Sequence, residues 1–117
     1  SNNVQEINLH YGFTDNNTKT QMSPWKIKID DKELINTIFH EYAVEWTPTK
    51  IEIFIDGIKV FRYSNKNILN KYFNTDNANM HIVMNHGIEE EYFIENNKDF
   101  RSEILVDYIR AYEIDKK

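Results

Sequence analysis

Residues 39–63 read Phe-His-Glu-Tyr-Ala-Val-Glu-Trp, then Thr-Pro-Thr-Lys, then Ile-Glu-Ile-Phe-Ile-Asp-Gly-Ile-Lys-Val-Phe-Arg-Tyr, and this stretch decides the fold. It spells a three-strand meander. Asp56-Gly57 is a strong hairpin signal, because a two-residue type I′ turn needs φ > 0 at both central positions and Asp-Gly tolerates that at little cost. Pairing Ile55 with Ile58 then places Ile53 opposite Val60. Ile51, Ile53, Ile55, Ile58 and Val60 gather on one face under that register, while Glu52, Phe54, Lys59 and Phe61 point the other way. A turn over Thr47–Lys50, with Pro48 where φ is naturally near −65°, sets Trp46 against Ile51, Val44 against Ile53 and Tyr42 against Ile55. Two independent turns thus agree on one buried face, which makes Trp46 and Tyr42 core residues.

The same stretch carries a family resemblance. Phe-His-x-Tyr-x-x-x-Trp-Thr-Pro, then Ile-x-x-x-x-Asp-Gly, a strand ending in Asn85, and a closing Val-Asp-Tyr-Ile-Arg-Ala-Tyr resemble family-16 glycoside hydrolases of the laminarinase and lichenase type. The order and spacing of the blocks 39–57, 80–87 and 106–112 make the likeness specific. Residues 4–113 can be laid on the C-terminal half of such a domain. The resemblance implies an all-β fold, an incomplete antiparallel β-sandwich of the concanavalin A-like lectin and glucanase (jelly-roll) type. It also implies a carbohydrate-active function, the hydrolysis of O-glycosidic bonds in β-glucans or related polysaccharides. A secreted, periplasmic or cell-surface location goes with it.

Composition bounds the remaining possibilities. A chain of 117 residues is expected to be a single domain, 1–117, able to bury one core, and its seven Phe, seven Tyr and two Trp are ample to fill it. With 14 Lys and Arg scattered among 19 Asp and Glu and a net charge of −5, the chain lacks the clustered cations that nucleic acid or an anionic membrane surface needs. No apolar run is long enough to span a bilayer. The absence of cysteine excludes disulfides and thiolate metal sites. No signal peptide precedes Asn3, and Ser1-Asn2 reads more like an expression remnant than native sequence.

Val4–Tyr11 alternates, with Ile7 and Leu9 on one face and Asn8 and His10 on the other, and reads as a strand ended by Gly12. The polar run 14–20 reads as turns. Trp25–Asp30 reads as a half-exposed strand, with Pro24 at its start marking a beginning or an edge. Residues 31–37 suit a helical turn or a strand equally. Ser64–Asn79 holds six Asn residues around an apolar patch at Ile68, Leu69, Tyr72 and Phe73, and reads as a loop carrying one helical turn. Met80–Asn85 and Ile104–Ile114 alternate as strands, with a brief further strand possible at 92–94. Strands at this spacing, with no strong 3.6-residue period, point to an antiparallel sandwich.

A retaining glycosidase needs a nucleophilic carboxylate and an acid/base carboxyl about 5 Å apart. The resemblance places both on a strand bearing Glu-x-Asp-x-(x)-Glu, and no such pattern occurs in this chain. No catalytic residue is therefore assigned. Glu52 to Asp56, Glu103 to Asp107 and Glu89–Glu91 come nearest, and each has a plainer reading: Asp56 makes a turn, Glu89–Glu91 form a solvated loop, and Glu45 facing Glu52 is a surface pair screened by water. What the resemblance leaves is the rest of a cleft. Asn8 and His10 match substrate-contacting positions beside the catalytic strand, and Asn85 matches an Asn that hydrogen-bonds sugar hydroxyls. The tryptophan that often follows is Gly87 here. Trp25 and Phe61 read as packing residues rather than sugar platforms.

No cofactor is required, but a complete domain of this kind often holds a structural calcium, with one oxygen from the position matching Asp107. Calcium takes 6 to 8 oxygens, and the other ligands of the resemblance lie outside this chain. His10, His40, His81 and His86 lack zinc-ligand spacing. The expected partner is a polysaccharide or oligosaccharide, with no nucleic acid and no membrane. The strand edges left bare by an incomplete sandwich suggest a homodimer. Two further classes of function stay open: a non-catalytic sugar-binding sandwich, and a structural pseudo-enzyme domain completed by another chain.

Overall fold

The computed structural model describes residues 4–12, 19–28, 38–76, 79–87 and 103–113, with 4–6 and 19–28 described by backbone and pairing alone. The readings at 31–37, 89–91 and 92–94, and most of the polar run 14–20, lie outside those residues. Two compact units divide the chain, Ser1–Asn79 and Met80–Lys117.

In the first unit, β1 (Val4–Tyr11) pairs antiparallel with β2 (Lys19–Lys28), and β3 (Tyr42–Thr47), β4 (Lys50–Ile55) and β5 (Ile58–Tyr63) form a three-stranded antiparallel meander. Among the described residues the chain is strand-dominated, with antiparallel sheets and very little helix, consistent with part of a family-16 β-sandwich. Both turns of the meander stand where the sequence places them. Asp56 and Gly57 have φ of 51° and 77°, the pair of positive values a type I′ turn demands. Thr47 closes the other turn, its hydroxyl donating to the Lys50 carbonyl at 3.2 Å and accepting from the Lys50 N–H at 3.2 Å. The expected pairs Tyr42 with Ile55, Val44 with Ile53 and Trp46 with Ile51 are all present.

The register of β4 on β5 differs from simple alternation. Ile55 pairs with Ile58 and Phe54 with Lys59, but Ile53 then pairs with Phe61 and Ile51 with Tyr63, so Val60 is an extra, unpaired residue. A bulge of this kind reverses the alternation beyond it. Phe61, expected on the far face, is instead buried against the apolar face, and Ile58 at the sheet's end is exposed. The larger side chain wins the interior, since burying a phenyl ring removes more apolar area from water than burying an isopropyl group.

Pro24 also sits differently from expectation. β2 begins at Lys19, and Pro24 lies inside it, where the register slips between the Glu6–Lys26 and Asn8–Met22 pairs. A residue without an N–H is tolerated at such a break because no ladder bond is asked of it.

The polar stretch after β5 folds as one short coil: α1 (Lys66–Ile68), capped by Asn65, whose side-chain oxygen accepts from the Ile68 N–H at 3.3 Å, runs into a wide turn over Leu69–Phe73 closed by Asn74 N–H to Leu69 C=O at 2.8 Å. The wider turn brings Leu69 and Phe73 inward together, and both are buried. With Ile51 they form the core, against which Leu9 and Tyr11 of β1, Trp46, Tyr63, Ile68 and Tyr72 pack. Trp46 meets Phe73 edge-to-face at 6.2 Å. Asn74 ties coil to hairpin, donating to the Pro48 carbonyl at 2.7 Å and accepting from Trp46 Nε1 at 3.4 Å. Tyr42, expected in the core, is 55% exposed. The coil covers only the Trp46 end of the sheet.

In the second unit, the strands expected at Met80–Asn85 and Ile104–Ile114 are not formed among the described residues, all of which are exposed there. Alternation alone does not make a strand. A ladder partner must supply the hydrogen bonds, and none is present among the described residues. Met80, Ile82, Met84, Ile104, Val106 and Tyr112 consequently remain in water.

Candidate functional site

β1 presents two faces because its side chains alternate. Ile7 is buried and Leu9 packs on the core, so Asn8 and His10 turn outward together, both exposed. On β2 they stand opposite Met22 and Thr20. Two residues along one strand place their side chains about 6.7 Å apart. Asn85 belongs to the second unit and is exposed there. At Gly87 an added Cβ would meet nothing within 4 Å among the described residues.

Glu52 and Asp56, which come nearest to the catalytic spacing, have defined partners. Glu52 pairs across the sheet with Glu45 and Arg62, as its register requires, but it is not a screened surface residue. It is 2% exposed, lying under Lys50 and Lys59, whose Nζ atoms are each 2.5 Å from one of its oxygens. Lys50 is two residues back on the same face, and Lys59 stands opposite Phe54, two residues forward. The hydrogen bonds from Lys50 and then Lys59 hold the Glu52 carboxyl down to about 2 against the opposing effect of burial. Lys59 is itself 48% exposed. Water therefore lies just beyond the lysine lid, and no enclosed interior surrounds this carboxylate.

Asp56 does more than make a turn. Its carboxylate takes His40 Nδ1 at 2.7 Å on one oxygen and the Glu41 N–H at 2.9 Å on the other. The hydrogen bond from His40 leads in lowering its pKa, followed by the Glu41 N–H. With the acid ionised, His40 Nδ1 must be the donor. The register foretells this clasp, since continuing the β3–β4 pairing one step beyond Tyr42 and Ile55 brings residue 41 beside Asp56. A strand-by-strand reading passes over it because His40 lies outside β3.

Chemically, Glu52 and Asp56 are both held ionised, so neither is the proton donor of raised pKa that glycoside cleavage requires. Asp107 is exposed, and no three His, Asp or Glu side chains among the described residues come together to hold a metal. Among them, too, no helix is long and apolar enough to cross a membrane.

The fold meets its explanation in comparison with known proteins. The chain belongs to the glycosyl hydrolases family 16, whose model matches residues 3–107. It is 30% identical over 84 residues to a beta-glucanase of Rhodothermus marinus, covering 65% of this chain and 29% of that protein. The chain thus spans under a third of the length of that relative. No solved structure matches it significantly.

Proposed function

We propose that this chain is the glucan-contacting part of a family-16 glycoside hydrolase, with the bond-breaking carboxylates supplied from outside the present sequence. The observation that carries the reading is the outward, exposed pairing of Asn8 and His10 on a strand whose alternate residues, Ile7 and Leu9, anchor it to the interior. An amide offers two donors and an acceptor, and an imidazole one of each when neutral, which suits sugar hydroxyls that do both. Asn85, in the second unit, is proposed separately as a residue that hydrogen-bonds sugar hydroxyls. Family membership and the likeness to a beta-glucanase support β-glucan as the substrate class. A polymer of that kind is met outside the cytoplasm, which favours a secreted, periplasmic or surface location. No cofactor enters the reading.

A second reading, a domain completed by another chain, is favoured by the apolar side chains left in water along 80–84 and 104–112.

Titration calorimetry with laminarin and with a soluble mixed-linkage β-glucan tests the first reading. Binding is expected with at least one of them, together with no release of reducing ends above a heat-killed control. Failure to bind either polymer overturns the glucan-contacting role, and turnover overturns the statement that the catalytic carboxylates lie elsewhere.

A further inference from the structure

Of the three glycines in the chain, only Gly57 follows an acid or an amide residue. In an Asp-Gly pair no side chain crowds the glycine nitrogen, so it can attack the neighbouring carboxyl. The N–Cγ bond forms, the amide proton and the carboxyl hydroxyl leave together as water, and a cyclic succinimide results. Water then reopens the ring in one of two places. Addition at Cγ restores aspartate, and addition at the main-chain carbonyl carbon gives isoaspartate, in which the chain runs on through Cβ. The first step has two requirements: a neutral carboxyl, because an ionised one resists a nucleophile, and a carboxyl free to swing to the next nitrogen.

Packing does not shield this pair from water. The Asp56 side chain is 45% exposed, and an added Cβ at Gly57 would meet nothing within 4 Å among the described residues. Hydrogen bonds restrain it instead. Asp56 Oδ2 accepts from His40 Nδ1 at 2.7 Å, Oδ1 accepts from the Glu41 N–H at 2.9 Å, and the Asp56 N–H donates to the Glu41 carbonyl at 2.8 Å. Both carboxylate oxygens are thus engaged on the segment that leads into β3, and the same bonds, that from His40 first, keep the group ionised. His40 is buried at its side chain, and among the described residues the bond to Asp56 is the only hydrogen bond its ring makes.

We propose that Asp56-Gly57 is a site of spontaneous isomerisation that the clasp of His40 and Glu41 on the Asp56 carboxylate holds closed. Succinimide forms only from molecules in which the clasp has opened, a local fluctuation whose population is set by the bonds it breaks. His40 is the positioning residue, since it holds the reacting carboxyl without taking part in the ring closure. The modification matters to the fold. Isoaspartate adds a methylene carbon to the main chain at the first residue of the turn, where Asp56 and Gly57 have φ of 51° and 77°, and it replaces the side-chain carboxylate that residues 40 and 41 grip. A type I′ turn has no place for the extra atom, so the Ile55–Ile58 pairing that begins the β4–β5 ladder is lost with it.

The test incubates the whole chain in warm neutral buffer and reads isoaspartate by chromatography of the tryptic peptide Ile51–Lys59, in which Asp56 is the only Asp or Asn. The folded parent is expected to isomerise more slowly than the same chain unfolded in urea. His40→Phe keeps a ring in the buried position and removes the donor. It is expected to isomerise about fivefold faster than the folded parent, the factor that loss of one hydrogen bond of about 1 kcal/mol gives. His40→Asn retains an N–H donor close to the place of Nδ1 and is expected to stay near the parent's rate. Asn74→Ala removes the bonds to Pro48 and Trp46 at the far end of the sheet and is also expected to age as the parent does. Equal rates in the folded and unfolded parent overturn the proposal, whether or not His40→Phe folds. So does His40→Phe at the parent's rate, His40→Asn as fast as His40→Phe, or Asn74→Ala as fast as His40→Phe, since general loosening of the sheet then accounts for the reaction.

Discussion

His40 Nδ1 donates to Asp56 Oδ2 at 2.7 Å across sixteen residues of sequence, and the same carboxylate accepts the N–H of Glu41. The turn that reverses the chain between β4 and β5 thereby also holds the segment leading into β3. His40 is 5% exposed at its side chain, its Nε2 has no hydrogen-bond partner among the described residues, and the imidazole meets Asp56 and the edge of the Tyr42 ring, 6.5 Å away centre to centre.

Asp56→Asn separates the clasp from the turn, because Asn-Gly makes a type I′ turn as readily as Asp-Gly does. The expected loss is about 1 kcal/mol, below the range for buried bonds to charged groups, since Asp56 is 45% exposed. Asp56→Ala should lose more, having also a side chain poorly suited to φ near 51°. Urea unfolding of the two variants and of His40→Ala with Asp56→Asn checks this. Full additivity of the last pair would show that the 2.7 Å contact contributes nothing to stability.

Glu52 contributes to the acid sensitivity of the fold. Its folded pKa of about 2 lies below the ordinary 4.5, so its contribution is fully present above pH 4.5 and drains away as pH falls toward 2. Glu52→Gln keeps the shape, removes the charge and leaves two ammonium groups facing a neutral amide. The variant is expected to melt lower than the parent at pH 7, with the gap narrowing steadily between pH 4.5 and 2 until the curves meet. Parallel melting curves through that window would mean that the lysine lid does not stabilise the sheet.

The parts of the meander that sequence reveals are those where local chemistry has few solutions. Asp56-Gly57 and Thr47–Lys50 each admit one turn, and the β3–β4 register follows. Whether β5 carries an extra residue is decided by competition between Val60 and Phe61 for one interior position, which no local rule expresses. The lid on Glu52 was within reach of the sequence, since Lys50 and Lys59 fall at the two flanking same-face positions once the hairpin is drawn. The segments 80–85 and 104–114 show the opposite case, because their alternation is genuine but a strand needs a neighbour. On β1, buried Ile7 and exposed Asn8 follow directly from alternation.

Phe61→Ala and Val60→Ala distinguish the bulged register from the regular one. In a regular ladder Val60 faces the core and Phe61 faces water, so the valine variant would be the worse of the two. In the bulged sheet Phe61 is 8% exposed, and its truncation is expected to cost about 3 kcal/mol or more. Val60→Ala should cost about 1 kcal/mol, as for a partly buried residue. Removing Val60 altogether restores an unbroken ladder with Ile53 still opposite Phe61, so the deletion should fold. Chemical denaturation of the three variants decides it, and a greater loss at Val60 than at Phe61 would reject the bulge.

Asn8 and Asn85 are exposed, and replacing either by alanine removes no packing. Stability should change by about 0.5 kcal/mol at most, as for surface substitutions generally. If they contact glucan as proposed, each truncation removes a hydrogen bond of about 1 kcal/mol, which weakens affinity about fivefold. The two quantities should therefore separate, with affinity falling while the melting temperature holds. Paired calorimetry and thermal melts of Asn8→Ala and Asn85→Ala on the same preparations measure both. A sharp drop in melting temperature with unchanged affinity would assign these residues to the structure of the domain and leave the sugar contacts to be sought on another face.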